Sequence, residues 1–524
     1  LKRRRQLEVI VNDKLISTNS EWTFELIEEY YHELEKIARD KFGLTYYPNQ
    51  LEVISSEQML DAYASVAMPI MYGHWSFGKQ FIQQHEHYKR GRMGLAYEVV
   101  INSNPCISYL MEENSMMMQA LVTAHAAFGH NSFFKNNYLF KQWTDAEAII
   151  DYLVFAKRFI ADCEEKYGFD EVEEFLDSCH ALQRYGVDKY KRPSSMSAAQ
   201  EAERQKERND YIQSQLNDLW RTVPTKEKSE RASDEDRWPR EPEENLLYFV
   251  EKNAPNLEPW KRELIRIIRK IAQYFYPQMQ TQLMNEGWAT FWHYTLIHEL
   301  YEEGKVDDGF MLEFYANHTA VVTQLPYYHK HYSGINVYAL GFAMYQDIKR
   351  ICMEPTEEDL KWFPDFAGNG EWNETIHWAM ENFKDESFVM QFLSPKIIRE
   401  FRLFAMLDDD RDDMYEVSAI HNDEGYKRIR QKLSNQYNII NQLPDIQVYE
   451  VDRWGDRSML LKHYMHNRRP LDDDSTPEVL KHLHRMWGFD IVLESVDDEG
   501  LLRASFQVSD DETMTDLFLD EDFV

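Results

Sequence analysis

Along residues 21–43, "EWTFELIEEYYHELEKIARDKFG", apolar side chains return every three to four positions and the run closes on Gly43. That spacing predicts an amphipathic helix with a C-terminal stop. "SSEQMLDAYASVAMP" (55–69) reads the same way, with Ser55 or Ser56 as cap and Pro69 as breaker. After the turn-like "NSNP" (102–105) comes "MEENSMMMQALVTAHAAFGHNSFF", a long helix-prone run. The stretch 144–168 offers Thr144 as N-cap with Glu147 three residues later, a capping box, and ends at Gly168. Helical patterns resume over 258–304, then around 309–323 and 336–351. Strands are scarce through this part, so a mainly α body is expected.

Near residue 435 the period changes. "IQVYEVD" and "SMLLKHY" are short and alternating and read as strands. "STPEVLKHLHRMWG" reads as a helix capped by Thr476, with Pro477 in its first turn and Gly488 as its stop. "FDIVLESV" and "LLRASFQV" are strands about the turn "DDEG". The expected architecture is a large helical N-terminal domain (1–430), a small α+β (β-β-α-β-β) C-terminal domain (431–508) and an acidic tail (509–524) without fixed structure. A polar, densely charged insertion at about 194–245 reads as a solvated helix and flexible segment, or as a docking arm.

Charge narrows the function classes. Lys and Arg number 58 against 91 Asp and Glu, a net of −33. Such a surface repels phosphate backbones and anionic membranes, so no nucleic-acid partner is expected. Aromatic residues at 14% argue against global disorder. The four cysteines form no CxxC pair, which argues against a disulfide framework or a thiolate zinc knot. No run of about 18 apolar residues predicts a membrane span. The basic opening stretch lacks the apolar core of a secretory signal, so a cytoplasmic location is expected.

Candidate chemistry gathers in two places. His125 and His130 are five apart, with Gly129 between them. On a regular helix, at about 100° per residue, they point away from each other. A helix loosened at Gly129, or a π-type turn, would bring them together. In "NEGWATFWHYTLIHEL", Glu286 and His293 stand seven apart, two turns along one helix face. Glu286 sits among Trp288, Phe291 and Trp292, where an ionised carboxylate is costly without a cation or donor. Carboxylates and imidazoles on facing helices are how helical metal sites are assembled. His125, His130, Glu286 and His293 are therefore candidate ligands of a divalent metal, zinc, iron or manganese. Glu112 or Glu113 would serve as general base, with Glu98, Tyr72 and His74 as further candidates nearby.

The plainer alternatives stay open. Each histidine could be a core residue bonded to a carbonyl, and Glu112–Glu113 a charge pair complementing a helix N-terminus. Met116 to Met118 read as core filling, and His298, five past His293, faces elsewhere. In "KHYMHNRRPLDDD", His463, His466, Arg468 and Arg469 could hold an anion or simply pair with Asp472–Asp474 and neighbouring acids.

Several blocks are familiar. "YPNQLEVISSEQMLDAYASVAMPIMYGHWSFGKQF", "AYEVVINSNPCISYLMEENSMMMQALVTAHAAFGHNSFFKNN", "DSCHALQRYGVDKYKRP", "MNEGWATFWHYT" and "VYALGFAMYQDIKRI" resemble the SpoVR family, named after stage V sporulation protein R. "DRSMLLKHYMHNRRPL" and "VLKHLHRMWGFDIVL" resemble its later blocks. The resemblance runs from about residue 7 to 505. It departs at Val337, where proline is expected, and in its acidity. It implies a long helical body with a small C-terminal domain, a role in sporulation (spore cortex formation) or stress response, and association with a serine protein kinase and a von Willebrand-type-A protein. It transfers no catalytic assignment.

Two functions are thus expected to compete. One is a helical metal-dependent hydrolase acting on a peptide or cell-wall-related amide. The other is a non-catalytic sporulation or stress factor working through protein partners. A carboxylate-bridged di-metal oxidase is weaker, because the ExxH pairs it needs do not occur.

Overall fold

The computed structural model describes residues 15–65, 68, 70–89, 98–190, 237–326, 328–407, 416–466, 469–509 and 514–518. It is mainly α, with a small sheet domain toward the C-terminus, as the sequence predicts. The chain forms two compact units: 1–166 with 274–442, and 167–273 with 443–524. The crossing at 442–443 lies close to the expected boundary at 430. The sequence does not signal that 167–273 belongs with the C-terminal sheet. Most of the charged insertion, residues 191–236, lies outside the described residues.

Five helices frame the first unit's centre. Helix α1 (Phe24–Lys36) starts at Thr23, whose hydroxyl accepts from the Leu26 N–H. Helix α2 (Met116–Thr123) starts at Ser115, whose hydroxyl accepts from Met118 N–H, and it continues directly into a π-helical segment, Ala124–His130. Helix α3 (Gln282–Glu302) is apolar on nearly every side. Trp288, Phe291, Trp292 and Leu296 are fully buried, the pattern of a helix surrounded by others. Its first free N–H groups, Leu283 and Met284, donate to the two oxygens of Asp385 at 2.8 and 2.9 Å. Helix α4 (Asp308–Val322) is capped by Asp307. Helix α5 (Val337–Met353) is capped by Asn336, whose side chain accepts from Tyr338 and Ala339 N–H. Val337 is the first helical residue, where proline's missing N–H would cost nothing, so that departure is a local backbone matter.

Strands are few in the N-terminal half, as expected, but three short ones that the sequence pattern does not locate form a sheet. Strands β1 (Asn49–Ile54), β2 (Glu98–Ile101) and β3 (Cys106–Met111) lie in the order β1-β3-β2. Central β3 is parallel to β1 and antiparallel to β2. Buried on both faces, β3 shows no alternation to read. A two-stranded pair, β4 (Ala405–Leu407) and β5 (Glu416–Ala419), lies later in the same unit.

The second unit carries the expected β-β-α-β-β module and one strand more. Its strands are β6 (Asp445–Val451), β7 (Met459–Tyr464), β8 (Ile491–Val496), β9 (Leu502–Val508) and β10 (Met514–Phe518), in the order β10-β9-β8-β7-β6. Strand β10 corrects the expectation of a structureless tail; 510–513 and 519–524 lie outside the described residues. Two caps are corrected as well. The helix Ser475–Trp487 begins after Asp474, with Asp472 accepting from Ser475 N–H; Thr476 is already inside it. Thr144 ends the helix Tyr138–Trp143, and Asp145 accepts from Glu147 and Ala148 N–H ahead of Ile149–Tyr167. An Asp carboxylate that reaches two or three N–H groups ahead serves these starts better than the hydroxyls chosen from spacing.

In the C-terminal module His463 bonds Ser495 and His466 pairs with Asp445 at 2.9 Å, so both are held by neighbouring side chains. Arg468 lies outside the described residues. No described helix is long and apolar enough to cross a membrane.

Arg350 of α5 grips Asp359 with two guanidinium nitrogens at 2.7 and 2.9 Å. Burial raises the Asp359 carboxyl, but Arg350 and the Thr356 donors outweigh it and bring it down to about 2. The pair therefore stabilises fully above the unfolded carboxyl's range and is lost as pH falls toward 2. Asp359→Asn is expected to cost roughly 2 kcal/mol at pH 7. Its gap to the wild type should close between about pH 4 and pH 2, read from denaturant midpoints.

Candidate metal centre

The π segment decides the geometry of His125 and His130. Its wider turn brings residues five apart onto one side. The two rings lie 4.6 Å apart between centroids, edge to face at 87°. Helix α3 crosses beside them. A Cβ on Gly129 would fall 2.6 Å from the Ala289 Cα, so the two main chains are in direct contact. On its other side α3 meets α5 in the same way, since a Cβ on Gly287 would lie 2.5 Å from the Gly341 backbone. Glu286, one residue before Gly287 and three before Ala289, is carried into the space beside both imidazoles. Strand β2 supplies Glu98 as its first residue.

Four side chains converge. His125 Nε2 lies 3.4 Å from Glu98 Oε1 and 3.8 Å from Glu286 Oε2. His130 Nε2 lies 3.6 Å from the same Glu286 oxygen. One ligand atom from each of Glu98, His125 and His130 fits within 4.8 Å of the others. These separations exceed ordinary hydrogen bonds. They match the ~3.4 Å expected between two ligands each ~2.1 Å from one tetrahedral cation. Glu98 Oε2 and Glu286 Oε2 are buried without a hydrogen-bond partner. Unpartnered carboxylate oxygens beside two imidazole nitrogens are a donor set suited to zinc, iron or manganese.

The remaining ring nitrogens are engaged from outside the cluster. His130 Nδ1 donates to Asn285 Oδ1 at 2.9 Å, which leaves its Nε2 lone pair facing Glu286. His125 Nδ1 lies 2.9 Å from His293 Nδ1, and His293 Nε2 lies 2.9 Å from His318 Nδ1. Tyr338, at the start of α5, hydrogen-bonds the Glu286 carboxylate.

Charge is distributed unevenly. Burial raises the Glu98 carboxyl to about 7, Glu286 adding to the rise and His125 opposing it. Burial also raises Glu286, but His130, His125 and Tyr338 outweigh it and leave that carboxyl lowered. His125 is pulled down by burial and up by Glu98 and Glu286, which prevail. His130 is pushed down to about 4, chiefly by burial. Burial lowers His293 strongly, with the neighbouring histidines adding to the effect.

Of the residues singled out from sequence, the structure brings His125, His130 and Glu286 together, with Glu98 beside them. His293 is buried next to the cluster, both its nitrogens occupied by other histidines. Glu112 and Glu113 are exposed in the turn after β3. Glu112 contributes its backbone, accepting from the Trp22 indole and donating to Ile54. His74 bonds Ser76 and is not part of this set. Sequence reasoning missed Asn285, His318 and Tyr338. Asn285 precedes Glu286 directly, a usable signal, whereas nothing in the chain links His318 or Tyr338 to residue 125.

Helices around a buried carboxylate–imidazole cluster, joined to a small sheet domain, define the class. The chain belongs to the SpoVR family: the SpoVR-like protein family matches residues 21–442, and the SpoVR-like C-terminal domain matches 444–498. It is 61% identical over 485 residues to "Uncharacterized protein YcgB" of Escherichia coli (strain K12), covering 93% of this chain and 94% of the relative. No solved structure matches the chain.

The main-chain contact at Gly129 yields a direct test. Gly129→Ala is expected to lower stability by about 1–3 kcal/mol, because backbone atoms must move to admit the methyl group. Gly73→Ala, with nothing within 4 Å of the added Cβ, should change it by less than about 0.5 kcal/mol. Thermal unfolding of the two variants decides.

Proposed function

We propose that this chain is a metal-dependent hydrolase, with His125, His130 and Glu286 holding one divalent cation and Glu98 acting as general base. The observation that carries the reading is the buried, unpartnered Glu286 Oε2 facing the Nε2 atoms of both His125 and His130, with Glu98 Oε1 also beside His125. When bound, a divalent cation polarises a carbonyl and lowers the pKa of water. Asn285 orients His130 for that task, and Tyr338 holds the Glu286 carboxylate in place. Glu98, 3.4 Å from His125, is the acid placed to take up and return a proton beside the centre. Glu98 and Glu286 keep 16% and 18% of their side-chain exposure, enough for a small polar group to approach. An amide is the substrate class this pairing of cation and carboxylate base serves best, in a peptide or a cell-wall-related precursor met in the cytoplasm.

Purified protein is expected to carry close to one equivalent of zinc, iron or manganese by elemental analysis. His125→Ala and Glu286→Ala should lose it while keeping their helical circular dichroism. Metal-free wild type whose variants still rescue a deletion strain would instead support the non-catalytic partner role. Glu98→Gln should retain the metal yet lose rescue, in line with the ~10²–10⁴-fold worth of a general base. Full rescue by that variant would remove Glu98 from the mechanism.

A further inference from the structure

Three imidazoles stand in line behind the centre: His125, His293 and His318 are joined Nδ1 to Nδ1 and Nε2 to Nδ1, each at 2.9 Å. They come from the π segment, α3 and α4, and are 4%, 2% and 5% exposed. A neutral imidazole has one N–H and one lone pair, so in such a line each ring must donate on one side and accept on the other. The direction of the whole line is therefore set by whichever end is fixed.

We propose that His293 and His318 are positioning residues of the centre, which together hold His125 with its proton on Nδ1 and its Nε2 lone pair toward the cation. This rests on the metal reading above. With His125 Nε2 committed to a cation, His125 Nδ1–H donates to His293 Nδ1, and His293 Nε2–H donates to His318 Nδ1. His318 then carries its own proton on Nε2. Without the cation the line reverses: His125 Nε2–H turns to Glu98 or Glu286, His293 donates through Nδ1, and His318 donates through Nδ1. Among neutral rings no proton is gained or lost, because each only exchanges one tautomer for the other. Occupancy of the centre is thereby written into His318, on a different helix.

The arrangement also explains why His293 is buried between two histidines. A ligand must turn a lone pair to the metal, whereas both His293 nitrogens are spent on the line. Outer partners of this kind typically govern metal affinity by 10–100-fold.

The test uses cobalt(II) as the probe, followed by its visible spectrum in the full-length protein. His318→Leu removes the acceptor for His293 and is expected to weaken cobalt binding ~10–100-fold and alter the spectrum. His318→Gln keeps an acceptor oxygen there and should restore affinity to within about threefold of wild type, a rescue that a merely structural role would not give. In parallel, wild-type protein labelled with ¹⁵N-histidine is compared with and without zinc at constant pH. All three rings are expected to exchange tautomers together on loading. Cobalt binding by His318→Leu equal to wild type, or a His318 tautomer indifferent to zinc, overturns the positioning role while leaving the metal reading intact. Wild type that takes up neither cation overturns both.

Discussion

Main chain touching main chain is the constraint on which this architecture depends. Helix α3 lies against the π segment at Gly129 and Ala289, and against α5 at Gly287 and Gly341, with no room for a Cβ at the glycines. Side-chain packing usually holds helix axes 8–10 Å apart. Glycine at the crossing points removes that spacer, so functional groups on three segments can meet. Glu286 directly precedes these crossings, and the wider turn of the π segment presents His125 and His130 to it from one side. The large aromatic residues of α3, Trp288, Phe291 and Trp292, fill the space around these contacts and make the approach rigid.

The electrostatics of the centre differ from those of four other buried acids, Asp359, Asp385, Glu251 and Asp347. Asp359 is gripped by Arg350, and Asp385 takes two N–H groups from the start of α3. Glu251 meets Lys252, Arg266 and Arg269. Even Asp347, with one unpartnered oxygen, has Arg350 and Lys396 beside it. Each of these carboxylates is answered by a permanent cation or a helix terminus. Glu98 and Glu286 face the imidazoles of His125 and His130, and Glu286 also meets Tyr338; burial holds His130 down, while the two acids raise His125. Two acids thus share one ring that takes a charge readily and one that does not, the imbalance on which the proposed metal reading rests.

The family relation agrees with this division of labour. The longer match covers the helices and strands that carry the cluster, and the shorter one covers the sheet module. In the module, His463 is held by Ser495 and His466 by Asp445. The YcgB relative is aligned over nearly its whole length, so both parts are present in it.

Much of this was legible in the residues themselves. Periodicities of three to four located the helices, and alternation located the strands of the C-terminal module, because both patterns record which face is buried. His125, His130 and Glu286 stood out as polar groups in apolar surroundings. The three-stranded sheet escaped notice because its central strand is buried on both faces and shows no alternation. Strand β10 lay hidden in a run whose charge suggested solvent. Only the tertiary structure decided between an α and a π turn at Gly129, because that choice depends on the neighbouring helix. Only it placed Glu98 beside the histidines and Glu112 and Glu113 in an exposed turn, and joined His318 to residues far away in the chain. Local sequence reports burial and turn propensity; which buried groups meet is settled by packing between distant segments.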